Sequence, residues 1–225
     1  MIIEFSGIDG SGKSTQIQRT MRWMNESGVP CYERVLRSTC RRVLGGIAAE
    51  QGLQSWRELF SVEAVQLATA LEIMQAVYST ILPINTPAQV ILTDTYARYW
   101  IADAIAYGSP AIAQLAMVYD RLPPVELSFH LDVPADVAYA RILARPKGDH
   151  ILRTGGLPRL RRLADAYGEL PRHETRPVIT LPSGVSEDET FRAIQRHLLE
   201  FLSTSSTAKD LAIYQRLHAA QLSEA

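Results

Sequence analysis

The sequence has little lysine and little cysteine. Three of its 23 basic residues are lysines, Lys13, Lys147 and Lys209, and the others are arginines. The net charge is −1 at pH 7, and the lack of a basic excess argues against a nucleic-acid-binding protein. The two cysteines, Cys31 and Cys40, are too few for a disulfide framework, so we expect reduced thiols in a cytoplasmic protein.

Signals for membranes and for local metal sites are also missing from the sequence. No basic segment precedes the first apolar residues, so we expect no secretory signal. No apolar run reads as long enough to span a bilayer, so no membrane partner is expected. The five histidines are too far apart in sequence for a local metal motif. They stand at positions 130, 150, 173, 197 and 218.

Apolar strand-like segments alternate with helical patterns along the 225 residues, of which 47% are hydrophobic. This alternation predicts an α/β fold with a parallel sheet covered by helices on both faces. The predicted strands are 1–5, 29–36, 90–93, 127–131 and 178–181. The predicted helices are 16–26, 40–51, 56–82, 96–107, 111–122, 134–145, 160–170 and 187–202. After these come a linker at 203–207 and a helix or frayed tail at 210–222, with Leu211, Tyr214, Leu217 and Leu222 on one side.

The clearest motif is GIDGSGKS, residues 7–14, which fits the phosphate-loop pattern G-x-x-x-x-G-K-[ST] between a strand and a helix. Glycines allow the backbone N–H groups to point inward and, with the helix N-terminus, to form an anion site. Lys13 adds a charge near the β- and γ-phosphates, and the Ser14 hydroxyl suits Mg²⁺. The pattern predicts a bound ATP or GTP. The predicted nucleotide contacts are Gly10, Ser11, Gly12, Lys13, Ser14 and Thr15.

A nucleotide site alone leaves hydrolase and kinase open. A GTPase needs a guanine-reading motif, and the sequence has no N-K-x-D. Four segments resemble thymidylate kinase and, more broadly, the nucleoside-monophosphate kinases. They are FSGIDGSGKSTQ, LRSTCRRVLGGIAAE, VILTDTY and FHLDVPADVAYARILARPKGD, and the resemblance covers residues 1–202. It implies a P-loop kinase domain over 1–202 with a mobile lid at 146–158, which uses ATP, Mg²⁺ and a small-molecule acceptor.

The resemblance also implies roles for individual residues. Asp9 would approach the sugar hydroxyl of the acceptor, and Arg37 would contact its phosphate. Asp94 would help Ser14 to hold Mg²⁺. The catalytic set implied by the resemblance is Lys13, Asp94, Arg141 and Arg145, with Lys147 and Arg153 as further lid cations.

Three departures from the family pattern fall in the acceptor site. Thr95 stands where the family has an arginine after the aspartate, and Arg98 is either its substitute or a solvent-facing charge. Aligned without gaps, Ala68 and Glu72 replace the aromatic residue and the arginine that contact thymine. Asp103 replaces an aromatic residue near the sugar. If the alignment is a turn out of register, Glu72 is an ordinary exposed residue of the helix.

The added carboxylates lead to a first hypothesis: a kinase whose acceptor is not dTMP and carries an amine or a guanidinium group. Under this hypothesis Glu72, Arg98 and Asp103 join Asp9 and Arg37 as acceptor contacts. The second hypothesis is an ordinary nucleoside-monophosphate kinase for dTMP, with Arg98 compensating for Thr95. The third is a regulatory nucleotide-binding protein without turnover that uses the 210–222 helix as its contact. Family members often dimerise through helices, which makes the apolar segment 56–82 a candidate homodimer surface.

Overall fold

Five parallel strands form the centre of the fold in this computed structural model, in the order β2-β3-β1-β4-β5. The structure describes residues 1–84, 89–145, 150–153, 155–170, 177–182 and 185–223, with residues 150, 153, 182 and 223 described by backbone alone. The strands are β1 (Ile2–Ser6), β2 (Cys31–Val35), β3 (Val90–Asp94), β4 (Leu127–Asp132) and β5 (Val178–Pro182). The predicted α/β class and parallel sheet are confirmed.

Nine α-helices accompany the sheet within the described ranges. They are α1 (Lys13–Glu26), α2 (Thr39–Glu50), α3 (Val62–Ala76), α4 (Ala97–Ala106), α5 (Ile112–Tyr119), α6 (Ala135–Leu143), α7 (Gly156–Gly168), α8 (Glu187–Thr204) and α9 (Ala208–Ser223). Short 3-10 turns lie at Trp56–Glu58, Leu82–Ile84 and His150–Arg153, and a π-helical turn lies at Val77–Ile81.

The three central strands β3, β1 and β4 are mostly buried because both faces of the sheet are covered by helices. Successive side chains of a strand point to opposite faces, so β1 contributes to two cores. Phe5 packs on Phe129, with ring centroids 5.5 Å apart, in the core shared with α1, α8 and α9. Ile2 lies in the second core, with Ile73 of α3 and Trp100 of α4.

The topology places one functional edge at the carboxyl ends of the strands. Asp94, the last residue of β3, pairs in register with Phe5 of β1 and with Val35 of β2. The loop after β1 and the segment after β2 therefore start beside Asp94. In open α/β sheets, ligands bind at this edge, outside the carboxyl ends of the strands.

The helix predicted for residues 56–82 differs from the observed structure. Trp56 lies in a separate 3-10 turn, and α3 begins only at Val62, where the Ser61 side chain accepts a hydrogen bond from the Ala64 N–H. The helical stretch then continues through the π-helical turn to Ile84. These 23 residues contain an 18-residue window with a mean hydropathy of 1.4 and are long and apolar enough to cross a membrane by length and composition alone. The expectation that no segment reaches this length is therefore wrong.

The C-terminal part of the chain differs from the prediction in two ways, in the end of α8 and in the buried residues of α9. Ser203 and Thr204 belong to α8, so the break before α9 is shorter than the predicted linker. In α9 the buried residues are Ile213 and Leu217, whereas Leu211 and Leu222 are exposed. The C-terminal helix therefore packs into the same core as α1 and α8, with Leu217 and Tyr214 of the predicted face in contact with it and Ile213 in addition.

The segment predicted to be a lid is partly outside the described residues. Residues 146–149, with the candidate Lys147, and residue 154 lie outside them, as does the side chain of Arg153. Helix α7 begins at Gly156, inside the segment predicted to be a loop, because Gly155 adopts a left-handed conformation and ends the preceding turn.

Candidate active site

The phosphate loop folds tightly between β1 and α1 and lies against helix α6. Gly7 and Gly10 have φ of 139° and 84°, a region that favours glycine. A Cβ on Gly10 would lie 2.4 Å from the carbonyl oxygen of Ala138, and one on Gly7 would lie 2.7 Å from that of Leu131. The loop therefore requires glycine at both positions, and its backbone N–H groups remain close to the start of α1, as an anion site requires.

Lys13 points back over this loop. Its Nζ donates hydrogen bonds of 3.0 Å to the carbonyl oxygens of Gly7 and Ile8, and it lies 4.0 Å from Asp94 Oδ1. The side chain is only 6% exposed. The ammonium group is thus held between the phosphate loop and the end of β3, where phosphates are expected.

Asp94 lies in a partly buried cluster of charges. Burial raises the pKa of its carboxyl above the ordinary value, the negative charge of Asp9 acts in the same direction, and Lys13 and Arg37 oppose the rise. These contributions show that the structure brings Asp9, Lys13, Arg37 and Asp94 together at one edge of the sheet. The four residues were predicted as site residues from three separate segments of the sequence.

The oxygen atoms near Lys13 fit a magnesium ion. Asp94 Oδ1 is buried and accepts no hydrogen bond from the described residues. The Ser14 side chain is exposed in the first turn of α1. The described part of the chain contains no group of three or more His, Cys, Asp or Glu side chains placed to hold a metal ion. A site with one carboxylate and one hydroxyl is typical of Mg²⁺ that is also bound by substrate phosphates.

Three residues behind the phosphate loop support it and were not predicted. The Tyr167 hydroxyl donates a 3.4 Å hydrogen bond to the Gly7 carbonyl oxygen. The His130 ring lies 4.7 Å from the Tyr167 ring, and its Nδ1 is 3.0 Å from Ser6 Oγ. Burial, helped by the charge of Arg98, lowers the pKa of His130 to about 4. The sequence gives no local signal for this contact, because the three residues come from β1, β4 and α7.

Thr95, which replaces the arginine expected after Asp94, has an unusual backbone conformation. Its φ is 65°, the one positive value for a non-glycine residue in the described chain, and such values are costly for a β-branched residue. Its hydroxyl donates a 3.1 Å hydrogen bond to the carbonyl oxygen of Leu36. This bond fixes the residue before Arg37 to the end of β3. Strained backbone of this kind often marks functional sites.

Glu72 has partners within the protein. Its Oε1 accepts a 2.7 Å hydrogen bond from the Thr39 N–H, and its Oε2 accepts bonds from Ser38 Oγ at 2.8 Å and the Cys40 N–H at 3.1 Å. Burial favours a raised pKa, but the hydrogen bonds outweigh it and the pKa of Glu72 is lowered. The carboxylate therefore binds the N-terminus of α2, where the helix dipole favours a negative charge.

Asp103 also has a partner. Its Oδ2 lies 2.7 Å from Nη1 of Arg41, and the two side chains are 1% and 14% exposed. The guanidinium of Arg41 lies 5.0 Å from the Trp100 ring. A second arginine, Arg57, lies 3.6 Å from the centre of the Tyr107 ring. Arginines and aromatic rings thus lie near Asp103, and none of them was predicted as a site residue from the sequence.

The remaining predicted arginines are Arg98, Arg141 and Arg145. Arg98, on α4, is close enough to His130 for its charge to lower the pKa of the imidazole. Helix α6 approaches the loop at Ala138 and Ile142. Arg141 is adjacent to Ile142, and Arg145 follows one turn later, just beyond the end of the helix; both side chains are exposed. These positions are compatible with the predicted roles.

Comparison with known proteins shows the family to which the chain belongs. The sequence profile of the family described as thymidylate kinase matches residues 5–194. The chain belongs to the thymidylate kinase family. It is similar to the thymidylate kinase of Synechococcus sp. (strain CC9902), with 30% identity over 199 residues that cover 82% of this chain and 91% of that protein. It is also similar to the thymidylate kinase of Kosmotoga olearia, with 24% identity over 210 residues that cover 88% of this chain and 95% of that protein.

Membership of the thymidylate kinase family confirms several predictions. The chain is an ATP-dependent kinase with a P-loop fold, and it uses ATP and Mg²⁺. The substrates of the family are small molecules, and a cytoplasmic location is typical of it. The hypothesis of a regulatory protein without turnover has no support from these relatives.

Proposed function

We propose that this protein is a nucleoside-monophosphate kinase that transfers the γ-phosphoryl group of ATP to dTMP, giving dTDP and ADP. The observation that carries the proposal is the family match over residues 5–194, which includes the complete phosphate loop. This is the second of the three hypotheses from the sequence. It replaces the first as the leading one.

The hypothesis of a cationic acceptor rested on the added carboxylates of Glu72 and Asp103, and both have partners within the protein. Glu72 is bound by three donors at the start of α2, and Asp103 is paired with Arg41. Neither carboxylate is an isolated negative charge that requires an amine or a guanidinium from the substrate. The two acids therefore do not argue against an anionic acceptor such as dTMP.

The proposed catalytic roles follow from position. Lys13 neutralises charge on the β- and γ-phosphates. Ser14 and Asp94 would hold the magnesium ion, which would supply further positive charge. Arg37 and Arg98 bind the phosphate of the acceptor. An oxygen of that phosphate attacks the γ-phosphorus, and the bond to the ADP oxygen breaks. Catalysis of this reaction is mainly positioning and electrostatic stabilisation.

Three further residues complete the proposed machinery. Arg141 and Arg145 stabilise the phosphoryl group during transfer; the first lies on α6, the helix that contacts the phosphate loop, and the second just after it. Asp9 accepts a hydrogen bond from the sugar of the acceptor. Asp9 Oδ2 is buried and has no partner in the described part of the chain, so a sugar hydroxyl would satisfy it.

Release of ADP from ATP and Mg²⁺ tests the proposal. The acceptor panel contains dTMP, dUMP, CMP and AMP beside amino and guanidino compounds. We expect turnover with dTMP, its loss in Lys13→Ala, and its retention in Arg22→Ala, an exposed position on the same helix. Turnover with an amine or a guanidine but with no nucleotide would overturn the proposal and restore the first hypothesis.

We also propose a homodimer formed through the helical stretch Val62–Ile84. Three apolar side chains on it are strongly exposed: Leu71 at 53%, Tyr78 at 45% and Leu82 at 45%. Exposed apolar patches of this kind mark interaction surfaces. Light scattering of the purified protein should give the mass of a dimer, and Leu71→Glu should shift it towards that of a monomer. A monomeric wild-type protein at micromolar concentration would exclude this dimer.

A further inference from the structure

The guanidinium of Arg41 is held from two sides, and among the described residues its third nitrogen has no hydrogen-bond acceptor. Its Nε donates a 3.2 Å hydrogen bond to Thr69 Oγ1, and its Nη1 donates a 2.7 Å bond to Asp103 Oδ2. No residue within the described ranges takes a hydrogen bond from Nη2. An arginine fixed by two bonds presents its remaining donors in a set direction, because the guanidinium is planar.

Arg41 comes from α2, but its head group lies against α3. Its partner Thr69 directly follows Ala68 and is three residues before Glu72. These are the two positions where the family resemblance expects the aromatic residue and the arginine that contact the base. The Arg41 guanidinium therefore reaches the part of α3 from which the expected arginine is missing.

The acid at position 72 helps to bring α2 to this place. Glu72 binds the N–H groups of Thr39 and Cys40, and Ser38 Oγ lies 3.4 Å from Thr69 Oγ1. These contacts join the first turn of α2 to α3. Arg41 follows in that same turn, so the replacement of an arginine by Glu72 and the position of Arg41 belong to one arrangement.

Aromatic rings surround the same guanidinium. The Trp100 ring lies 5.0 Å from it and the Trp56 ring 5.8 Å, and both indoles are buried. Such rings attract the cation and exclude water, which strengthens a hydrogen bond that the arginine donates to a ligand. The buried carboxylate of Asp103 keeps the charge of Arg41 compensated.

We propose that Arg41 is the specificity-determining residue that donates a hydrogen bond to a carbonyl oxygen of the acceptor base, with Asp103 as the residue that positions it. This inference rests on the proposed function, since it requires a nucleotide acceptor. In thymine the carbonyl oxygen is O4 or O2. Both offer the same chemistry to an N–H donor, so the choice between them is made by experiment.

Matched acceptors test the contact. In 5-methyl-dCMP the O4 of dTMP is replaced by an amino group, and in 2-thio-dTMP the O2 is replaced by sulfur. The variant Arg41→Met removes the donors and keeps a long side chain. If Arg41 contacts O4, the variant should lower kcat/KM for dTMP and 2-thio-dTMP by about 10- to 100-fold, mainly through KM, and leave 5-methyl-dCMP unaffected. If it contacts O2, only 2-thio-dTMP should be unaffected.

The controls separate recognition from a structural role. Arg42→Met changes the exposed neighbour on the same helix and should leave all three acceptors as in the wild type. Arg41→Lys keeps a cation beside Asp103 and loses the planar fork, so it should fold and still lose discrimination between acceptors. Thermal melting checks that each variant is folded at the assay temperature.

Two results would contradict these expectations and are distinguishable. An equal loss with all three acceptors in Arg41→Met and Arg41→Lys would overturn base recognition by Arg41 while the proposed function stands. Absence of turnover by the wild-type protein with every nucleotide would overturn the proposed function, and the inference with it.

Discussion

The Glu72 carboxylate accepts a 2.7 Å hydrogen bond from the backbone N–H of Thr39 and thereby joins α3 to the N-terminus of α2. A helix N-terminus carries unpaired N–H groups and the positive end of the helix dipole, so a carboxylate stabilises it. An arginine at the same place would repel this helix end. The acid that departs from the family pattern therefore has a structural function in this chain.

Replacement of Glu72 should lower stability without improving the use of dTMP. We expect Glu72→Gln to lower the free energy of unfolding by about 1 kcal/mol and Glu72→Arg to lower it further, because the cation lies against the helix dipole. Denaturant unfolding measures both, with Glu50→Gln at the exposed end of α2 as the control. A gain in kcat/KM for dTMP in Glu72→Arg would show instead that the position contacts the base.

The same carboxylate should contribute to the dependence of stability on pH. Its pKa is lowered in the folded protein, so its stabilisation is present above the ordinary value of 4.5 and is lost as the pH falls through the lowered value. The difference in stability between wild type and Glu72→Gln should therefore shrink in acid. A difference that stays constant from pH 7 to pH 3 would exclude an ionic contribution.

The phosphate loop could be predicted from the sequence because its chemistry is local. Strand, glycines, Lys13 and helix follow one another, and the required backbone geometry depends on near neighbours. The role of the aspartate at the end of β3 was predicted from the resemblance of VILTDTY to the family pattern. Asp94 lies beside the loop because parallel strands end at a common edge.

The surroundings of Arg41 could not be predicted, because they join side chains from three helices. Thr69, Trp100 and Asp103 are ordinary helix residues in the sequence, and only the packing of α3 and α4 against α2 brings them together. The start of α3 was missed for another reason. Trp56 extends the apolar helical pattern backwards, although Ser61 supplies the cap from which the helix begins.

A methyl group on Gly10 should disable the phosphate loop. Gly10→Ala would place a Cβ 2.4 Å from the Ala138 carbonyl oxygen and force a positive φ on alanine, so the loop must shift away from α6. We expect ADP release to fall by at least about 10²-fold, as for the loss of a preorganised donor. The matched control is Gly28→Ala, which also has a positive φ but has nothing within 4 Å of its Cβ. It should cost about 1 kcal/mol of stability and leave kcat unchanged.

Removal of the Asp94 charge should increase stability and abolish most activity. The pKa of Asp94 is raised in the folded state, so the folded protein binds this proton more tightly than the unfolded chain does. The free energy of unfolding then falls as the pH rises from the ordinary pKa of 3.8 through the raised pKa of the folded state. At neutral pH the ionised carboxyl therefore lowers stability. We expect Asp94→Asn to melt higher than the wild type at pH 7, with a smaller difference at pH 4, and to lose at least about 10²-fold in kcat.

Asp120→Asn, at an exposed position after α5, is the control for this variant and should change neither property. A lower melting temperature of Asp94→Asn at pH 7 would mean that the pairing of Asp94 with Lys13 outweighs the cost of burying the charge. Full activity of the same variant would remove Asp94 from the proposed magnesium site.

His130 should make the protein sensitive to mild acid. Its pKa is lowered from 6.5 to about 4 in the folded state, chiefly by burial, so the folded protein keeps the imidazole neutral where the unfolded chain protonates it. The associated stability is complete above pH 6.5 and is lost as the pH falls from 6.5 towards about 4. A group with this shift contributes a slope of up to about 1.4 kcal/mol per pH unit in that window.

His130→Gln keeps a polar group for Ser6 and removes the titration, so the free energy of unfolding of this variant should fall less steeply with decreasing pH than that of the wild type. Urea unfolding at pH 8, 6 and 5 measures this, and the difference at pH 8 gives the packing cost of the substitution by itself. Because all other titrating groups are common to both proteins, parallel curves from pH 8 to pH 5 would show that His130 is solvated in the folded state and does not form the buried support of the phosphate loop.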